Sequence, residues 1–191
     1  NMITTFKKKM AFLAALVLVL PTLAKAQEFK AGKFPDRIIL TWSADPKTTQ
    51  AVTWRTDSTV NKSFAQILVE DSSPKLDKPE AREYQAKTEV LRGKTYETAN
   101  YHSINFEGLT PNKLYTYRVG DGTNWSEWFQ FKTAPEKDQA FSFIYLGDAQ
   151  NDIRSKWSRV IRKAFATHGD ARFIVHAGDL INHPNNDNEW G

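Results

Sequence analysis

Near residue 134 the hydrophobic pattern of this chain changes from period two to a mixture of apolar runs and a 3.6-residue period. One sheet-only or helix-only fold does not satisfy both patterns. From Phe34 to about Thr133 apolar and polar side chains alternate, with turn residues at short intervals. Arg37–Ser43 and Ala51–Thr56 read as strands around Trp42 and Trp54, separated by the turn-forming Asp45-Pro46-Lys47. Further strands are expected at Phe64–Glu70, Tyr101–Phe106, Leu114–Val119 and Trp128–Phe131, with Gly120-Asp121-Gly122 as a tight turn before the last. Asp71–Arg82 is polar and contains two prolines, so it reads as a loop. About seven short strands with no helical stretch predict a β-sandwich across residues 27–134.

Beyond the linker Thr133–Asp138, Phe141–Leu146 reads as an apolar strand buried on both faces. Ile153–Thr167 reads as a helix, because Trp157, Val160, Ile161, Ala164 and Phe165 fall on one stripe while Lys156, Arg159, Arg162 and Lys163 face water. Asp152 is placed to cap its start and Gly169 to close its end. Phe173–Ala177 is a second apolar strand, also expected to be buried. Strand, helix, strand at this spacing is a parallel βαβ unit of an α/β domain. One such unit does not bury both faces of a sheet, so residues 138–191 are read as the start of a truncated domain.

The net charge of +4 comes entirely from the first 26 residues, where Lys7, Lys8, Lys9 and Lys25 occur without an acid. The remainder is close to neutral, which removes the electrostatic case for a nucleic-acid partner. The basic triplet, the apolar run Ala11–Leu20, Pro21 and the small residues of Ala24-Lys25-Ala26 predict a signal peptide over residues 1–26, with cleavage after Ala26. The run is half the roughly 20 residues needed to cross a bilayer. The expectation is a secreted or periplasmic protein with no membrane association after cleavage. The chain has no cysteine, so its fold contains no disulfide.

Gly-Asp occurs at Asp121, Asp148, Asp170 and Asp179, so the dipeptide alone discriminates nothing. Position does. Asp121 lies in a turn and Asp170 just past a helix end, both ordinary places for aspartate. Asp148 and Asp179 each follow an apolar strand, and in a parallel sheet both would stand at the carboxyl edge, where ligands bind. Two carboxylates converging there repel unless a cation holds them or one is protonated. Oxygen donors with amides nearby suit a hard or borderline divalent metal. The alternative is that each aspartate caps a loop.

Several strings carry a resemblance. Leu109-Thr110-Pro111-Asn112-Lys113-Leu114-Tyr115-Thr116-Tyr117-Arg118-Val119 resembles the strand entry of fibronectin type III domains, which implies that Tyr115 folds its hydroxyl back onto the preceding backbone. Leu146-Gly147-Asp148-Ala149-Gln150, followed by His176-Ala177-Gly178-Asp179-Leu180-Ile181-Asn182, resembles the first two motifs of calcineurin-like metallophosphoesterases. With Arg37–Trp42, Ala51–Asp57 and the Tyr115–Arg118 region upstream, the order resembles that of purple acid phosphatases across residues 35–191. The implied protein is a fibronectin type III-like sandwich followed by a metallophosphoesterase domain with two divalent or mixed-valence metal ions, of iron, zinc or manganese. Its implied substrate is a phosphorylated small molecule, a phosphomonoester first of all.

Carried onto this chain, the resemblance makes Asp148 a ligand of one metal and Asp179 the bridge between both. Gln150 stands where many relatives place histidine, and Asn182 where purple acid phosphatases place the colour-giving tyrosine; both are candidate neutral ligands. His183 belongs to no motif position, and His102 and His168 do not replace the histidines of later motifs. A rival reading is a surface adhesion or carbohydrate-binding protein in which the sandwich is the working module. Six tryptophans suggest stacking on sugars, although Trp42, Trp54 and Trp157 fall on core-facing positions and Trp128 opens a strand, so that only Trp125 and Trp190 look free.

Overall fold

The computed structural model describes residues 29–70, 77–92 and 97–190. The expected signal peptide and its cleavage site lie outside the described residues. Among the described residues the first part contains eight strands: β1 (Asp36–Thr41), β2 (Gln50–Asp57), β3 (Phe64–Val69), β4 (Arg82–Gln85), β5 (Lys87–Leu91), β6 (Ala99–Phe106), β7 (Leu114–Gly120) and β8 (Phe129–Lys132). They form two antiparallel four-stranded sheets, ordered β1-β2-β6-β5 and β4-β3-β7-β8. Val52, Trp54 and Phe106 from one sheet meet Ala65, Ile67, Tyr115, Tyr117, Val119 and Phe131 from the other in a single buried cluster. This is the sandwich the alternation predicts. The buried Trp54 indole donates to Ser63 Oγ at 2.9 Å, and Ser63 Oγ donates to the Gly120 carbonyl at 2.7 Å, so no polar atom of that chain is stranded in the core.

Two strands were not legible in the pattern. β4 and β5 are polar, with mostly exposed side chains, and Arg82, expected at the end of a loop, opens β4. Each is a sheet edge, where charged side chains discourage pairing with a second chain. Only Ala86 separates them, yet β4 pairs with β3 and β5 with β6, so the chain changes sheets there. The buried Ala86 donates its backbone N–H to Ser63 O at 2.9 Å. The tyrosine corner is present: Thr110 N donates to Tyr115 Oη at 2.9 Å, and the Tyr115 ring stacks on Phe131.

The second part contains β9 (Ile144–Leu146), a π-helical turn (Ile153–Trp157), α1 (Ser158–Thr167) and β10 (Ile174–His176). β9 and β10 pair in parallel, with Ile144 opposite Ile174 and Leu146 opposite His176. The strand expected from Phe141 thus begins three residues later. Neither strand is buried on both faces: Tyr145 is 67% exposed, and Phe141, Phe143, Ile174 and Val175 are exposed as well. Among the described residues one helix faces two strands, too little to cover a parallel sheet. The helix stripe is correspondingly half-covered, with Trp157, Ile161 and Ala164 partly buried and Phe165 71% exposed.

The caps differ from the sequence reading. Asp152 makes no side-chain capping bond; it sits at φ 55°, its carbonyl accepts from Ser155, Lys156 and Trp157, and its carboxylate pairs with Lys156 at 2.9 Å. The helix closes on His168, whose N–H donates to Ala164 O, rather than on a left-handed Gly169. Trp42, assigned to the core, is 42% exposed and lies edge-on to Phe173 at 5.2 Å, a contact between the sandwich and the second part. No helix among the described residues is long and apolar enough to cross a membrane.

Candidate metal centre at the carboxyl edge of the parallel strands

Parallel pairing brings the ends of β9 and β10 to one edge, and the hydrogen-bond ladder continues past both strands. Ala177 N donates to Leu146 O at 2.7 Å, Asp148 N to Gly178 O at 3.2 Å and Gln150 N to Asp179 O at 2.9 Å. The two aspartate turns are therefore stitched to each other by backbone. Gly147 permits the approach: a Cβ there would stand 3.0 Å from Ala177 Cβ, tighter than ordinary packing. Asp148 and Asp179 both adopt left-handed backbone, at φ 59° and 53°, with Gly178 at φ 100° between strand and turn. Such conformations cost non-glycine residues roughly 1–2 kcal/mol, less for aspartate, and cluster at ligand sites.

All four residues singled out in the sequence come together at this rim. Gln150 Nε2 donates to Asp148 Oδ1 at 3.1 Å, and Asn182 Nδ2 donates to the Gln150 carbonyl at 2.9 Å. Both carboxylates are exposed. Their oxygens and the side-chain carbonyl of Asn182 are donors of the kind hard divalent cations take. Gln150 presents its amide nitrogen to Asp148, so its oxygen would reach a cation only after the amide turns over. No group of three histidine, cysteine, aspartate or glutamate side chains placed to hold a metal occurs among the described residues. The rim supplies donor types suited to a divalent cation without a complete ligand set among the described residues.

Sequence reasoning missed the groups that hold the loop after Asp179. Glu189, in a 3₁₀ turn (Asp187–Glu189), accepts from Asn182 N at 2.9 Å, His183 N at 2.8 Å, His183 Nδ1 at 2.7 Å and Asn186 Nδ2 at 3.0 Å. The His183 backbone and side-chain hydrogen bonds hold the Glu189 carboxyl below its ordinary range. His183, which belongs to no motif position, is exposed and serves as a partner of Glu189. Two residues earlier, Asp187 receives Arg37 at 2.8 Å and Arg55 at 2.9 Å from the sandwich. Burial works against the Asp187 charge, but the hydrogen bonds and charge of Arg37, then Arg55, outweigh it and hold the carboxyl low. The run Pro184–Trp190 has no hydrophobic period, so only the fold discloses these bonds.

His102, set aside as a strand residue, is fully buried between Thr56 and Thr88, and burial lowers its pKa to about 4. Trp125, expected to stand free, is taken: the Arg118 guanidinium lies 4.5 Å from the rings of both Trp125 and Trp128.

A β-sandwich followed by a parallel strand–helix–strand unit, with two aspartate turns joined at its carboxyl edge, is the architecture these elements define. Residues 35–133 match the family described as purple acid phosphatase, N-terminal domain, and the chain belongs to that family. The fold is also similar to a solved structure described as "Structure of PhoD", with a TM-score of 0.52 over 82% of this chain at 16% identity. At that identity the likeness is one of fold, and the chain spans 29% of that protein's length. No curated protein matches the chain.

Proposed function

We propose that the chain is the N-terminal part of a secreted or periplasmic metal-dependent phosphoesterase that hydrolyses small phosphomonoesters at a two-metal centre. The observation that carries the reading is the pair of left-handed aspartate turns, Asp148 and Asp179, stitched together at the shared edge of β9 and β10. The purple acid phosphatase family match immediately upstream supports the order sandwich, then catalytic domain. Asp148 would hold one cation and Asp179 would bridge to a second of iron, zinc or manganese, with Asn182 and a turned Gln150 as neutral donors. When bound, such a pair neutralises phosphate charge and makes water a stronger nucleophile. The chain's own contribution is positional: Gly147 allows the strand ends to close, Gln150 orients Asp148, and Asn182 ties the second turn to the first.

The near-neutral charge beyond residue 26 suits a small phosphorylated substrate rather than nucleic acid. Removal of residues 1–26 on export would give a protein beginning at Gln27, which N-terminal sequencing of the secreted form checks. Turnover of a chromogenic phosphomonoester by the full-length protein tests the activity. Asp179→Asn is expected to reduce kcat by orders of magnitude, and an unchanged kcat counts against the assignment.

A further inference from the structure

β1 contains an irregularity that points to a role for the sandwich. Asp36 pairs with Arg55 and Ile39 with Thr53, so β1 spends three steps where β2 spends two. The extra residue makes a β-bulge, and Arg37 within it adopts φ 47°, a strained value for a long side chain. Bulges of this kind re-aim a side chain. Here the Arg37 guanidinium leaves the sheet to meet Asp187, through Nη1 to Oδ1 at 2.8 Å and Nη2 to the Asp187 carbonyl at 3.0 Å. Arg55, one strand over and 3% exposed, takes the other carboxylate oxygen of Asp187 at 2.9 Å while holding Asp36 at 2.8 and 2.7 Å. Both arginines thus grip one carboxylate from different strands, and the second part of the chain supplies it.

From Asp187 a chain of bonds runs to the rim. The 3₁₀ turn that begins at Asp187 carries Glu189, and Glu189 fixes the backbone N–H groups of Asn182 and His183. Asn182 Nδ2 holds the Gln150 carbonyl, and Gln150 N–H holds Asp179 O. A strained backbone spent on an inter-part ion pair, followed by an unbroken series of bonds to both aspartate turns, is more than a spacer requires.

We propose that Asp187, gripped by Arg37 and Arg55, is a positioning residue through which the sandwich sets the geometry of the rim around Asp148 and Asp179. The inference rests on the reading of those two aspartates as metal ligands. Loss of a bond that orients a ligand typically weakens metal binding 10- to 100-fold.

The test uses the full-length protein, wild type and with Asp187→Asn, Arg37→Gln or Asp179→Asn. Three readouts are hydrogen exchange over residues 182–189, Zn²⁺ affinity, and the visible spectrum of the Co²⁺-loaded protein. Asp187→Asn and Arg37→Gln are both expected to speed exchange over residues 182–189 while β2 and β6 stay protected. They should also weaken Zn²⁺ binding about tenfold and shift the Co²⁺ bands. The second variant carries the test if the first does not fold. Faster exchange with unchanged Zn²⁺ affinity and Co²⁺ spectrum overturns the positioning role while leaving the metal reading intact. Unchanged exchange overturns the clamp itself. Unchanged Zn²⁺ affinity in Asp179→Asn identifies failure of the underlying metal reading, and the positioning role falls with it.

Discussion

Arg55 and Asp187 lie 132 residues apart in the chain, yet Nη1 of one donates to Oδ2 of the other at 2.9 Å. Arg55 sits on β2 in the sandwich and is 3% exposed, so its charge is tolerated only because Asp36 and Asp187 surround it. Burial alone would make the guanidinium easier to deprotonate, but Asp36 first and Asp187 next outweigh it and raise its pKa. Arg55→Met leaves Asp36 and Asp187 without this partner. Because both carboxylates are partly solvated, the expected loss is about 2–3 kcal/mol rather than the full cost of a buried orphan charge. Urea unfolding with an unchanged m-value measures it.

Tyr115→Phe removes the hydroxyl that accepts from Thr110 N and keeps the ring on Phe131. A partly buried N–H then lacks its partner, and the expected cost is about 1–2 kcal/mol. Thermal unfolding of the sandwich checks this, and a change within about 0.3 kcal/mol means that water replaces the phenol.

His102 gives the sandwich a pH dependence whose sign is fixed by its burial. The Thr56 hydroxyl donates to Asp57 O and so accepts from His102 Nε2–H, while the Thr88 hydroxyl is left to donate to Nδ1. The folded pKa is about 4, below the ordinary 6.5. Above pH 6.5 the residue is neutral in both states, and its full contribution to stability is present. As pH falls from about 6.5 to about 4 the unfolded chain takes up a proton that the folded chain refuses, so stability drops. The loss reaches roughly 2–3 kcal/mol and stops growing below about pH 4. His102→Gln is expected to flatten that part of the stability profile, and an unchanged slope assigns it to other groups.

Local pattern made much of this legible. Alternation around Trp54, Tyr115 and Tyr117 disclosed the inner faces of the sandwich, and the apolar runs before Asp148 and Asp179 disclosed the shared edge. β4 and β5 were hidden because Arg82–Gln85 and Lys87–Leu91 are mostly exposed edge strands held by backbone pairing, with Tyr84 packing on the core beside Phe106. The Arg37–Asp187 clamp was hidden for a different reason: it joins residues 150 positions apart through a bulge that no periodicity announces. The exposure of Tyr145 and Ile174 was misjudged because an apolar run states what a strand would bury, and not how many layers are present to bury it.

On the proposed reading Asn182 would stand where a tyrosine gives purple acid phosphatases their colour, and its amide is already engaged with the Gln150 carbonyl. The full-length protein loaded with metal is therefore expected to be colourless in the phenolate-to-iron region. An intense visible charge-transfer band would mean that a tyrosine reaches the metal from another part of the fold.

The measurement that bears most directly on the proposed centre is metal content per chain in the full-length protein, by mass spectrometry, with and without Asp148→Ala combined with Asp179→Ala. With carboxylates that ligate one metal and bridge to a second, the expected result is two tightly held metal ions in the wild type and fewer than one in the double variant. Two ions retained by a folded double variant would contradict the assignment of the rim at Asp148 and Asp179 as the metal centre.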